Sequence, residues 1–151
     1  MPSAEPSSGL KALRYAEDQL KVHGIYDEAV AARGRLDSVL TDLSERRDKR
    51  RAVEEDLRTR EWEVATEEWG KHPDFSATKM DQHLKQARYI DPICMDLRAS
   101  VTDLTSDIEG LEYDKTMLET DIKIAVARLQ ELGGFLNYLA AIKQAETANN
   151  T

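Results

Sequence analysis

LRASVTDLTSDIEGLEYDKTMLETDIKIAVARLQELGGFLNYL, residues 97–139, is the stretch whose reading decides the fold. With Leu97 at heptad position d, the d positions are Leu97, Leu104, Leu111, Leu118, Ala125, Leu132 and Leu139. The a positions are Val101, Ile108, Lys115, Ile122, Leu129 and Leu136. Twelve of these thirteen are apolar, against eight of the thirty others in the span, so the spacing is not a by-product of composition. A three-four spacing sustained over six heptads specifies a long helix with one left-handed packing seam.

The seam needs a partner. β-Branched residues at a with leucine at d suit a parallel dimer of two copies. The alternative is the chain's own upstream helix, folded back as an antiparallel hairpin. No proline lies between Ile25 and Trp69, and Leu36, Val39, Leu43, Val53, Leu57 and Val64 keep the same spacing, interrupted by Arg46, Arg50 and Arg60. Residues 25–69 and 97–139 are 45 and 43 residues long. Each would measure roughly 65 Å as a helix at ~1.5 Å per residue. Charge points the same way. Residues 44–60 carry seven bases and five acids, and residues 96–121 carry eight acids and two bases. Length and charge together favour the hairpin. Setting Val64 beside Leu97 brings Leu57 to Leu104, Arg50 to Leu111 and Leu43 to Leu118, with Arg47 and Arg51 near Asp107, Glu112 and Asp114. That register leaves one conflict, Arg46 facing Lys115.

The expected fold is therefore all-α: a long antiparallel, coiled-coil-like hairpin with two short flanking helices. Helices are expected over residues 10–23, 25–69, 76–90 and 92–144, within a single helical domain over 9–144. Residues 1–8, with Pro2, Pro6 and three serines, and residues 145–151 read as flexible tails. Gly24 marks a break after the first helix, and Gly70, His72 and Pro73 end the second. Ala77, Met80, Leu84, Ala87 and Ile90 make the apolar stripe of the third. Asp91-Pro92 supplies an N-cap followed by proline at the first helical position. Gly133-Gly134 is expected to interrupt the last helix, as a hinge or a point of close approach.

Composition bounds the function. A net charge of −8 disfavours nucleic acid or anionic lipid as a partner of the whole surface. One cysteine, Cys94, allows no intrachain disulfide. With no apolar h-region in MPSAEPSSGLKALRY, this points to a cytoplasmic, reducing setting. The longest near-apolar run, Phe135 to Ile142, is too short for a membrane span.

The chain does not resemble the small secreted helical hairpins with a Trp-x-Gly turn. Trp69-Gly70 lacks the intervening residue, and Ile142 stands where an acid would follow Tyr138.

Three sets of residues are candidates for function. Arg46, Arg47, Lys49, Arg50 and Arg51 form a basic run that would contact phosphate, but Asp42, Glu45, Glu54, Glu55 and Asp56 surround it and no aromatic interleaves. Trp62 and Trp69 share a face at position f, pointing away from the hairpin partner. Phe75, Met80 and Leu84 of the 76–90 helix are expected to cover them. Tyr113, Met117 and Ile124 form an outward stripe on the last helix, of which Ile124 would be covered by the 10–23 helix. His23, His72 and His83 make no recognised metal-ligand spacing, no carboxylate pair sits alone in an apolar setting, and no phosphate loop or nucleophile elbow is present. No metal, cofactor or catalytic residue is assigned. Cys94 falls at the third position of a helix, where the dipole lowers a thiol pKa, but an inert buried thiol is the commoner case.

The reading that results is a non-enzymatic structural or adaptor protein acting through helix faces on protein partners, chiefly a second copy of itself. Its alternatives are a nucleic-acid-associated protein using residues 46–51, and an acidic helical inhibitor, using residues 96–121, of a nucleic-acid-binding protein.

Overall fold

The computed structural model describes residues 22–150 together with Gly9 and Lys11. Three helices account for it: α1 (Val22–Lys71), α2 (Ala77–Ile90) and α3 (Pro92–Asn149), with no strand among the described residues. None of these helices is long and apolar enough to cross a membrane. The expected helix over 10–23 lies outside the described residues, except that Val22 and His23 begin α1. The expected tail over residues 1–8 lies outside them as well.

Two helix ends and two glycine positions differ from expectation. α1 runs through Gly24 without a break, and α3 runs through Gly133 and Gly134 and on to Asn149, past the expected end at 144. A Cβ on either glycine of that pair would meet nothing within 4 Å among the described residues, so close approach does not explain them. The cost of glycine in a helix, about 1 kcal/mol against alanine, is small enough to be carried by the turns on either side.

The described residues fall into two compact units. One holds residues 39–114, that is, the second part of α1, all of α2 and the start of α3. It is a hairpin with a third helix at its corner. Along α1, Val39, Leu43, Arg46, Arg50, Val53, Leu57, Arg60 and Val64 are buried or half-buried, in unbroken three-four spacing. On α3 the same holds for Leu97, Val101, Leu104, Ile108 and Leu111. The arginines are thus true seam positions. Arg46 reaches Asp107 (3.5 Å) and Arg47 reaches Glu112 (2.7 Å), while Arg60, fourteen residues further along α1, reaches back to Asp91, so the two helices run antiparallel.

The register is not the expected one. Arg46, with Asp42, Glu45 and Lys49, lines a groove with Ser106, Asp107, Gly110, Leu111 and Asp114. Arg46 rather than Arg50 therefore stands beside Leu111, a slide of about one helical turn. The conflict expected at Arg46 is resolved locally: its guanidinium is on Asp107, and the Lys115 ammonium lies 3.9 Å from Glu119 on its own helix.

The corner is built by a few polar groups. α1 ends at Lys71 before Pro73, which cannot donate to the preceding turn. Ser76 caps α2, its hydroxyl accepting from the Lys79 amide (3.3 Å). Asp91 then closes α2, its amide donating to the Ala87 carbonyl, and opens α3, its carboxylate accepting from the Cys94 amide at 2.9 Å. Pro92 sits at the first helical position as expected. The Arg60 guanidinium grips the same carboxylate with two parallel bonds, Nε to Oδ2 at 3.1 Å and Nη2 to Oδ1 at 2.8 Å. Arg98 of α3 donates to the carbonyls of Arg88 and Tyr89, placing a cation on the C-terminus of α2. Met80, Leu84, Cys94 and Val64 are buried under this frame.

The second unit takes residues 22–38 of α1 and 115–149 of α3. Ile25, Glu28, Ala32 and Arg35 line a groove with Asp121, Ile124, Ala125 and Arg128. The expected register put Gly133 and Gly134 opposite residues 27 and 28, so this pairing has slid in the same direction. Ala32, Leu132 and Leu139 are buried, and Ile122, Ala125, Leu129 and Leu136 half-buried, which continues the seam spacing.

Two substitutions test the frame. Leu43 is 2% exposed, and Leu43→Ala is expected to lower unfolding free energy by about 2–5 kcal/mol in urea denaturation. Asp91→Ala removes a helix cap, costing at least about 1 kcal/mol, and its larger effect should be loss of protection in amide hydrogen exchange over residues 92–95.

Candidate functional site

The aromatic candidates remain in solvent. Trp62 is 68% exposed, Trp69 45% and Tyr113 66%. The expectation that α2 covers the tryptophans is overturned. α2 packs instead on the side of α1 that carries Glu61, Val64 and Glu68: the Arg88 guanidinium donates to the Glu61 carbonyl (3.2 Å), and His83 contacts Glu68. Position f is turned away from both neighbours. Met80 and Leu84, expected to shield indole rings, are spent on the corner core.

More apolar surface lies at the corner itself. Tyr89, Ile90 and Ile93 are exposed. Ile90 was expected to complete the inward stripe of α2 but does not, because the chain leaves the helix at Asp91 and the last turn overhangs the core. The signal was present in the sequence: large apolar side chains on both sides of Asp91-Pro92 cannot all face inward across a helix break. In the other unit, Met117 and Ile124 are exposed as well, and the helix expected to cover Ile124 lies outside the described residues.

The four arginines of the basic run are all paired with acids. Besides Arg46 and Arg47, Arg50 pairs with Glu54 (3.3 Å) and Arg51 with Asp48 (3.5 Å), while Lys49 lines the groove with Asp42 and Glu45. These are largely exposed pairs, each worth roughly 0–1 kcal/mol. Their importance is local neutralisation: acids stand beside the bases that phosphate would need.

Cys94 is buried, and burial together with the neighbouring Asp91 carboxylate pushes its thiol pKa up. The environment opposes thiolate formation, so the helix dipole does not make this a nucleophile.

One constellation escaped the sequence reading. Glu68, His72 and His83 are brought together, with one potential ligand atom from each lying within 4.8 Å of the others. Glu68 lies in the last turn of α1 and His72 directly follows its end, its amide still donating to the Glu68 carbonyl at 3.0 Å, so the two stay on one face. His83 reaches them from α2, its Nε2 lying 2.6 Å from Glu68 Oε2. The first pair was legible as a spacing; the third member depends on how α2 folds back. Phe75 stacks on His72 (ring centroids 4.4 Å apart) and meets His83 edge-on at 5.6 Å. The His83 hydrogen bond, then the Lys71 ammonium at 3.1 Å, hold the Glu68 carboxyl below its ordinary pKa.

No protein-family model, curated protein or solved structure matches this chain.

Acid should unfold the corner first. Arg60 and the Cys94 amide hold Asp91 well below the usual carboxylate range, and Glu68 is lowered too. Carboxylates with depressed folded-state pKa values contribute stability that is complete above the ordinary carboxylate range and is lost as pH falls below it. Thermal midpoints measured from neutral pH downward should fall through that window, and Asp91→Asn should be less stable at neutral pH with a shallower acid slope.

Proposed function

We propose that this chain is a non-enzymatic structural or adaptor protein that self-associates through helix faces, its two long helices packed as a coiled-coil hairpin. The supporting observation is the exposure of Trp62 and Trp69 on one side of α1 while the seam side of the same helix is shielded. Two indoles one heptad apart on a charged helix are costly to hydrate and, as rigid aromatic anchors, contribute strongly to association when buried in a partner. Tyr89, Ile90 and Ile93 are further exposed apolar side chains of the same unit. The partner is a second copy of this chain, and rim charges of both signs give such a contact its register.

The nucleic-acid and acidic-inhibitor alternatives are weakened by the same ion pairs. Arg46 and Arg47 share their charge with Asp107 and Glu112, so basic and acidic surfaces partly cancel.

Light scattering coupled to size exclusion over a range of concentration tests the proposal. The wild-type chain should exceed the monomer mass and gain mass with concentration. Trp62→Glu with Trp69→Glu should shift it to monomer with unchanged helical circular dichroism. A wild-type monomer at the highest concentration reached contradicts self-association. A wild-type oligomer unaffected by the double variant contradicts the assigned face.

A further inference from the structure

We infer that Glu68, His72 and His83 form a binding site for a divalent transition-metal ion of the zinc type, bridging the end of α1 to α2. Two imidazoles and one carboxylate are a donor set suited to Zn²⁺, Co²⁺ and Ni²⁺ rather than to Ca²⁺ or Mg²⁺, which take oxygen. Solvent supplies whatever further ligand the ion needs.

The geometry is close to what an ion requires. His83 Nε2 lies 2.6 Å and His72 Nε2 3.8 Å from the same atom, Glu68 Oε2, and the ligand atoms lie within 4.8 Å of one another. Donors at ~2.0–2.2 Å from a tetrahedral ion stand roughly 3.3 Å apart. The His83–Glu68 contact must therefore open by under about 1 Å, and the widest separation close by about 1.5 Å. Adjustments of this size are within reach of side-chain rotation at three helical or helix-flanking residues. The carboxylate is oriented for the task. Lys71 holds Oε1 at 3.1 Å, which leaves Oε2 to the histidines. Phe75 lies against both imidazoles and restricts their rotation.

Charge around the site is mixed. Glu68 is ionised at neutral pH, as a ligand must be. Lys71 opposes a cation, but its side chain is 63% exposed and its charge is screened by water. Lys79 sits over the neighbouring Phe75 ring, 4.2 Å from its centroid. Glu68 is only 15% exposed, while both imidazoles are about one-third exposed, so an ion enters from the imidazole side. Because the ligands come from two helices, an ion bound here would favour the folded corner over the unfolded chain. This differs from the helix-face association proposed above and does not depend on it.

The test uses the full chain with Zn²⁺ alone, then Co²⁺ as a spectroscopic probe. Calorimetric titration should show one equivalent of Zn²⁺ bound, with a raised thermal midpoint. His72→Gln and His83→Gln should each weaken binding by at least about tenfold, the scale set by loss of even outer-shell support. His23→Gln should leave binding unchanged. Co²⁺ should give ligand-field bands without thiolate charge transfer, since Cys94 is buried. In the wild-type chain, paramagnetic broadening by Co²⁺ should centre on residues 68–83, a readout that needs no variant to fold. Absence of stoichiometric Zn²⁺ binding, binding insensitive to both substitutions, or broadening centred elsewhere overturns the site.

Discussion

The corner of the hairpin depends on one carboxylate. Asp91 terminates α2 through its backbone, caps α3 through its side chain, and receives a two-pronged contact from Arg60 of α1. Its side chain is 12% exposed and that of Arg60 20%, so the pair is partly shielded from water and is satisfied on both sides. A half-buried arginine in an apolar seam would be a defect without that partner. With it, the arginine becomes the device that sets where α3 begins relative to α1. Arg98 completes the arrangement by covering the exposed carbonyls at the end of α2. Three helices in this unit are thus joined at a point where backbone groups would otherwise lack partners.

That constraint explains what the heptad pattern could and could not reveal. The existence of two long helices and the faces they bury were legible, because a and d positions alternate without error from Leu97 to Leu139 and recur from Val39 to Val64. Antiparallel pairing was legible from the arginines between residues 46 and 60 and the acids between 103 and 114. Register was not. Apolar repeats match nearly as well after a slide along the seam, so the pattern alone does not choose among registers. Arg60 with Asp91 and Arg46 with Asp107 choose, and neither pair could be ranked before the corner was known. Gly24 and Gly133-Gly134 misled for a related reason: a glycine signals a break only where neighbouring turns do not hold the helix, and here they do.

The candidate surfaces were legible to different degrees. The outward position of Trp62 and Trp69 followed from heptad arithmetic, and only their cover was misjudged, since Met80 and Leu84 were needed beneath the corner. The neutralised state of the basic run followed from its flanking acids, with Asp107 and Glu112 adding pairs across the hairpin. The Glu68, His72 and His83 cluster required the fold, because His83 belongs to a helix whose direction no local pattern declares. The candidate surfaces thus lie on what the seam leaves outside: indole rings on one face of α1, and a polar cluster where α1 meets α2.

The most direct measurement of the account is a distance within one chain between residues 47 and 112, whose side chains meet at 2.7 Å. Spin labels on Arg47→Cys and Glu112→Cys leave the buried Cys94 unlabelled, and the surface ion pair they remove contributes little. Electron–electron double resonance should give a short, narrow distance distribution that persists when labelled protein is diluted into a large excess of unlabelled chain. A broad or long distribution, or a short distance that disappears on dilution, would contradict an intrachain antiparallel hairpin.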